Sequence, residues 1–127
     1  MGDGGFQMTI HDLATVVQER LPIKIALSNN SYLGMVRQWQ ELFFDERYEA
    51  THLGNPDFVD LVQVYGIRSW RATTLQEARD AIAEARAHPG PAFIDFQIVQ
   101  TGDAGNVYPM VPAGAALHEM IRRPQPA

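Results

Sequence analysis

Two polar clusters in this chain carry residue types that can hold a metal ion and a phosphate. They are Gly2-Asp3-Gly4-Gly5 and Asn29-Asn30-Ser31, with 27 positions separating Asp3 from Asn30. An Asp carboxylate, an Asn amide oxygen and a main-chain carbonyl are hard oxygen ligands. They suit a Mg²⁺ that keeps its other positions for phosphate and water. Glycines let backbone approach a ligand closely, and a following helix start offers unpaired N–H groups to an anion. The same residues are also ordinary turn chemistry, since Gly-Asp-Gly-Gly reverses a chain and Asn-Asn closes a strand. Spacing alone leaves both readings open.

For Asp3 and Asn30 to meet, the chain between them must run out and back along a sheet. Ile10, Leu13, Ala14 and Val17 recur at i, i+3, i+4, i+7 and predict a helix over 7–19. Pro22 ends it, and Ile23 to Leu27 reads as a buried strand, 23–28, closed by a turn at Asn29-Asn30-Ser31. A right-handed βαβ unit then delivers Asp3 and Asn30 to one carboxyl edge, where α/β proteins bind ligands.

Beyond the turn, Met35, Val36, Trp39, Leu42 and Phe43 share one side of a helix over 32–43, and 45–55 reads as loop. Asp57 is placed to cap a helix with Phe58, Leu61, Val62 and Tyr65 on its apolar side, stopped by Gly66. Ile67 to Arg71 reads as a strand. Thr74 and Glu77 form a capping box for a helix with Leu75, Ala78, Ile82 and Ala85 inward. Phe93 to Val99 is a strand with Ile94, Phe96 and Ile98 on one face and Asp95 and Gln97 on the other. From about residue 103 an extended tail is expected, since four of the eight prolines lie in the last nineteen residues. Helix–strand alternation makes the fold α/β with a parallel sheet.

Composition narrows the function classes. With 127 residues, 46% apolar and 20% charged, this is one globular domain. Lys plus Arg number 10 against 15 acidic residues, a net charge of −5 that argues against nucleic acid or an anionic membrane as partner. Without cysteine there is no disulfide, thiol nucleophile or Cys-based zinc site. The four histidines, His11, His52, His88 and His118, form no metal spacing.

Gly2-Asp3-Gly4 followed at this distance by Asn29-Asn30 resembles the thiamine-diphosphate motif of the 2-oxo-acid decarboxylase and carboligase superfamily. Three stretches are similar to one family within it, the acetolactate synthase (acetohydroxyacid synthase) large catalytic subunit. They are Gly2 to Thr9, Asn29 to Gln40 with its Gly-Met-Val-x-Gln-Trp core, and Asn106 to Pro112 with Tyr-Pro-Met-Val-Pro. The resemblance runs from Gly2 to about Gly114.

It implies a three-layer, doubly wound parallel sheet of the thiamine-diphosphate-binding type, lacking its first strands. The chain is then the C-terminal portion of a larger enzyme. Asp3 and Asn30 would bind Mg²⁺ through side chains and Tyr32 through its carbonyl. Gly4 and Gly5 would meet the diphosphate with main-chain N–H groups, though the family often has Ser where Gly5 stands. Asn30, Ser31, Tyr32, Leu33, Gly34 and Met35 would line the cofactor. Met35 would lie beneath its bend, and Trp39 would narrow the pocket for the second 2-oxo acid. For Met35 and Trp39 the competing reading is plain helix core, because their spacing puts both on one face. Ala113 matches a small residue bordering the family's inhibitor channel. Arg37 and Gln38 could as easily be solvated.

The implied activity is carboligation, in which pyruvate condenses with a second 2-oxo acid in branched-chain amino acid biosynthesis. The implied assembly is a cytoplasmic, bacterial-type dimer or higher homo-oligomer, with a small regulatory subunit possible and FAD only in a full-length parent. Alternatives are glyoxylate carboligase, sulfoacetaldehyde acetyltransferase or pyruvate oxidase, against which Trp39 and 108–112 count, or a non-catalytic assembly module. In the family the activating glutamate lies in another domain, supplied by the partner subunit, so no catalytic residue is assigned here. The chain alone is expected to make no acetolactate from pyruvate, thiamine diphosphate and Mg²⁺, and a product assay checks this.

Overall fold

The computed structural model describes residues 1–98 and Ala116. Three parallel strands, β1 (Lys24–Asn29), β2 (Arg68–Ala72) and β3 (Ala92–Gln97), form a sheet in the order β1-β3-β2. Parallel neighbours need crossovers. Helices α1 (Asp3–Gln7) and α2 (Asp12–Gln18) precede β1; α3 (Gly34–Phe43) and α4 (Phe58–Val64) separate it from β2, and α5 (Leu75–Ala87) leads into β3. The expected tail and the 106–112 stretch, with Ala113, lie outside the described residues.

β3 is central, so it is covered on both faces. Ala92, Phe93, Ile94 and Asp95 are all buried. Phe93 packs with Phe6, Leu13, Leu27, Phe58 and Val62 under α1, α2 and α4. Phe6 stands edge-on to Phe58 at 5.4 Å and tilted on Phe93 at 5.1 Å. Ala92 and Ile94 pack on the opposite face with Ala72, Ala81 and Ala85 under α5. Helices on both faces of a parallel sheet make this the doubly wound α/β arrangement.

Several elements differ from their sequence pattern for local reasons. The expected helix over 7–19 is two short ones. Gly2 is extended (φ −80°, ψ 159°) and acts as N-cap, so α1 already begins at Asp3. The Thr9 hydroxyl donates to the Phe6 carbonyl at 3.3 Å, competing with the helix ladder, and the chain turns before restarting at Asp12. That break rotates the inward face to Leu13 and Val16 and leaves Ala14 and Val17 exposed. In α5 the inward side is Ala78, Ala81 and Ala85, while Leu75 and Ile82 face solvent. Alanines let the helix sit close to a sheet face that already carries Trp70 and Phe96. Asn29 belongs to β1 rather than to a turn, because it pairs with Gln97 and its carbonyl accepts from the Ile98 N–H at 2.9 Å.

Helix α3 is the largest departure. Gln38 and Glu41 are its buried residues, while Met35, Val36, Trp39 and Phe43 are exposed. Its polar side is taken up by the loop that follows. The Gln40 amide donates to the Glu49 carbonyl at 2.9 Å and accepts from the Glu49 N–H at 3.1 Å. The Arg37 guanidinium lies 4.0 Å from the centre of the Tyr32 ring and 4.8 Å from that of Tyr48, clamping the loop to the start of α3. Burial, with the Glu41 and Glu46 carboxylates nearby, pushes the Tyr48 phenol above its ordinary value, against the pull of Arg37. Asp45, Glu46 and Ala50 have φ of 52°, 56° and 53°, a left-handed conformation that these contacts must hold. Arg37 and Gln38 are therefore structural rather than solvated.

The clamp and the α4 cap each generate a test. Arg37→Ala should destabilise the chain by about 1–2 kcal/mol, the range for two partly desolvated cation–π contacts. It should also speed proteolysis within 44–50; denaturant titration and limited digestion measure the two effects. The Asp57 carboxylate accepts from the Val59 and Asp60 N–H groups and pairs with Arg71. The Arg71 hydrogen bond, followed by the Asp60 N–H, lowers its pKa. Depression in the folded state means the stabilisation is present above the ordinary carboxylate pKa. It is lost as pH falls through the folded value. Asp57→Asn should therefore flatten the stability–pH curve below about pH 4, read as the midpoint of urea unfolding.

Candidate functional site

The opening residues lie along β1. The Met1 ammonium donates to the Ala26 carbonyl and the Ser28 N–H to the Met1 carbonyl, both at 2.8 Å, and Gly2 bridges Ser28 in parallel. This pairing brings Asp3, at the head of α1, to the carboxyl edge where β1 ends in Asn29. The shared edge expected for the two polar clusters is therefore present.

Asp3 is 2% exposed, yet among the described residues no cationic group pairs with its carboxylate. Oδ2 accepts from Asn55 Nδ2 at 2.7 Å, and the second oxygen has no partner among the described residues. The same Nδ2 donates to Asn29 Oδ1 at 3.0 Å, so one amide bridges the two clusters. Asn29 Oδ1 also takes the Ser31 N–H at 3.3 Å. Asn30 makes no direct bond to Asp3; its Oδ1 accepts the Tyr32 N–H at 3.1 Å. Ser31 between them has φ 58°, so the edge turns through a left-handed serine rather than a glycine. Strain of this kind costs about 1–3 kcal/mol and is typical of functional turns.

Past that turn, 31–33 pairs with 51–53. The Leu33 N–H donates to the Thr51 carbonyl and the Leu53 N–H to the Ser31 carbonyl, both at 2.8 Å, about an antiparallel bridge between Tyr32 and His52. In a pair flanked by bonds in this way, the central residue turns its own N–H and C=O away from the partner strand. The Tyr32 carbonyl consequently points to the side of the Asn30 amide, which its N–H already meets. A Cβ on Gly34 would stand 3.3 Å from Asn30 Nδ2, so glycine there gives the amide room. On Gly4 it would stand 2.8 Å from Leu33 and 3.2 Å from Leu53, so glycine lets these leucines pack against α1. Around Gly5 a Cβ would meet nothing within 4 Å, leaving its main chain open.

The other half of the edge is a cleft of about 430 Å³ lined by Asn29, Ser31, Asn55, Arg71, Asp95 and Gln97, among others. Asp95 is 1% exposed; its Oδ2 accepts from Gln97 at 2.7 Å and lies 3.6 Å from Arg71 Nε. Two buried carboxylates thus sit on one edge. Asp95 has a guanidinium beside it, and among the described residues Asp3 has none.

Among the described residues no three His, Cys, Asp or Glu side chains gather into a metal site. A cation here would need amide and main-chain oxygens as well as Asp3, which is the donor set that hard divalent ions accept. A buried carboxylate with no counter-ion among the described residues fits such a cation, because an isolated buried charge is costly. Met35 and Trp39 are 74% and 52% exposed, so neither belongs to the core. Asn55 had no signal in the sequence: Asn-Pro-Asp reads as a turn and a helix cap, and 52 positions separate it from Asp3.

Residues 1–96 match the family model described as thiamine pyrophosphate enzyme, C-terminal TPP binding domain. Curated relatives include an acetolactate synthase of Mycobacterium leprae, 46% identical over 125 residues, covering 94% of this chain and 20% of that protein. The acetolactate synthase large subunit of Cyanidium caldarium is 43% identical over 94% of the chain and 20% of its own length. The isozyme 2 large subunit of Escherichia coli K12 is 42% identical over 96% and 22%. Among solved structures, the thiamine diphosphate-dependent 4-hydroxybenzoylformate decarboxylase of Rhodococcus jostii RHA1 superposes with a TM-score of 0.73. It is 25% identical over 79% of this chain and 19% of that one. The chain thus spans about a fifth of the length of the proteins it matches. With the parallel sheet and the polar carboxyl edge, the match identifies the chain as a member of the family of thiamine pyrophosphate enzyme C-terminal TPP-binding domains.

Proposed function

We propose that this chain supplies the Mg²⁺–diphosphate half of an acetolactate synthase site, within an enzyme that condenses pyruvate with a second 2-oxo acid. The observation that carries the reading is the buried Asp3 carboxylate, which has no cationic partner among the described residues at the edge where β1 ends in Asn29 and Asn30 follows. Asp3, the Asn30 amide oxygen and the Tyr32 carbonyl would hold the cation. The open main chain at Gly5 and the N–H groups of Gly4 and Gly5 would face the diphosphate. Those N–H groups precede the first intrahelical bond of α1, Phe6 N–H to the Gly2 carbonyl. When bound, thiamine diphosphate supplies the electron sink for breaking and making the bond beside a 2-oxo acid's carbonyl, while the protein contributes position and electrostatics.

The exposed face of α3 supports the rest of the proposal. Met35 stands next to Gly34 at the head of the helix, and Trp39 follows one turn later. Both sit outside the core, on the side of the helix away from the buried Gln38 and Glu41. Met35 would contact the cofactor and Trp39 the acceptor 2-oxo acid, with Ser31, Leu33 and Gly34 completing the wall. The same apolar face suits a homo-oligomer in which a second chain helps to close the pocket.

Calorimetry with thiamine diphosphate and Mg²⁺ on the 127-residue chain tests this. Saturable heat is expected, abolished by EDTA and weakened more than about 100-fold in Asp3→Ala, beyond the 10–100-fold that outer partners of a metal ligand control. Equal binding by Asp3→Ala would overturn the assignment. No heat together with a stable dimer would favour an assembly module instead.

A further inference from the structure

We infer that Asn55 is a positioning residue for the cation, reserving one oxygen of Asp3 and tying the 44–55 loop to the metal position. The inference rests on the reading of Asp3 as a cation ligand. Its support is independent of the opening motif, because Asn55 lies in a loop 52 residues away. The chemistry of the partners assigns the amide's orientation. A carboxylate only accepts, so the atom 2.7 Å from Asp3 Oδ2 is the NH₂ nitrogen, and its second hydrogen goes to Asn29 Oδ1 at 3.0 Å. Asn55 Oδ1 in turn accepts from Gln7 Nε2. Every polar group of this side chain is thus spent on residues of the two clusters or on α1.

The backbone around Asn55 is held as firmly. Its N–H donates to the Leu53 carbonyl at 3.0 Å, and Leu53 is itself bonded to Ser31. Pro56 restricts the preceding residue to extended conformations, and Asp57 immediately caps α4. Asn55 therefore approaches Asp3 from a frame anchored at both ends.

One oxygen of Asp3 engaged by an amide leaves the other for a cation. Mg²⁺ demands near-ideal octahedral geometry, whereas Ca²⁺ accepts more ligands and bidentate carboxylates. Removing the amide frees both oxygens, so the expected effect falls on the choice between cations as well as on affinity.

Calorimetric titration of the 127-residue chain with Mg²⁺ or Ca²⁺, in the presence of thiamine diphosphate, reads this directly. Asn55→Ala should weaken Mg²⁺ by about 10–100-fold and Ca²⁺ by clearly less. The near-isosteric Asn55→Asp, which cannot donate and adds an anion, should shift the ratio further toward Ca²⁺. Urea unfolding without metal reports whether each variant folds, and Asn55→Asp carries the test if Asn55→Ala does not. Wild-type cation affinities in both variants, with Asp3→Ala inactive in binding, would overturn the role of Asn55 while leaving the cation site standing. An equal loss for both cations would likewise overturn it, since that is what a purely structural residue gives. Failure of the wild-type chain to bind Mg²⁺, or equal binding by Asp3→Ala, would overturn the cation reading and this inference with it.

Discussion

A carboxylate buried at the end of a parallel sheet is the constraint around which the rest of this domain is arranged. Asp3 is held by a single amide and given no cation among the described residues, whereas Asp95 on the same edge keeps Arg71 beside it. A charge removed from water must be compensated locally. At Asp95 the Arg71 guanidinium stands beside one carboxylate oxygen, whereas at Asp3 only amide and main-chain groups are near among the described residues. The sheet order supplies the location. Parallel strands put all their carboxyl ends on one edge, and the bridge between Gly2 and Ser28 brings the opening residues to it.

The loop after α3 ties into that edge. Its two hydrogen bonds to 31–33 orient Tyr32, the Arg37 clamp holds its far end, and Asn55-Pro56-Asp57 connects Asp3, a restricted backbone and a helix cap in three consecutive residues. Left-handed Ser31, Asp45, Glu46 and Ala50 are accepted because these contacts outweigh the local preference. The same loop accounts for the inverted burial of α3. It engages Arg37, Gln40 and Glu41, and the apolar side is left outward.

Much of the fold was legible in the residues because local rules and tertiary packing agree. The Thr74–Glu77 capping box, the Asp57 cap and Gly66 at φ 78° stand where their types place them. The two glycine- and asparagine-bearing clusters share an edge, as the parallel pairing of Gly2 with Ser28 requires. Periodicity misled wherever inward and apolar were not the same thing. Leu75 and Ile82 match the spacing of a buried stripe, yet the smaller alanines face the sheet. The apolar stripe of α3 is a sound amphipathic pattern whose side of attachment the pattern cannot state.

By itself the sequence determined the α/β class, the positions of the caps and the chemistry available at the two clusters. Each of these follows from residue types acting over a few positions. Tertiary structure alone decided that Asn55 bridges Asp3 and Asn29, that Arg37 is a clamp and that Met35 and Trp39 stand outside the core. Those outcomes depend on contacts between residues 52 positions apart, as for Asn55 and Asp3, or on which face of a helix a loop occupies first. Sequence spacing encodes neither, because both are settled by competition for the same buried surface as the chain closes on itself.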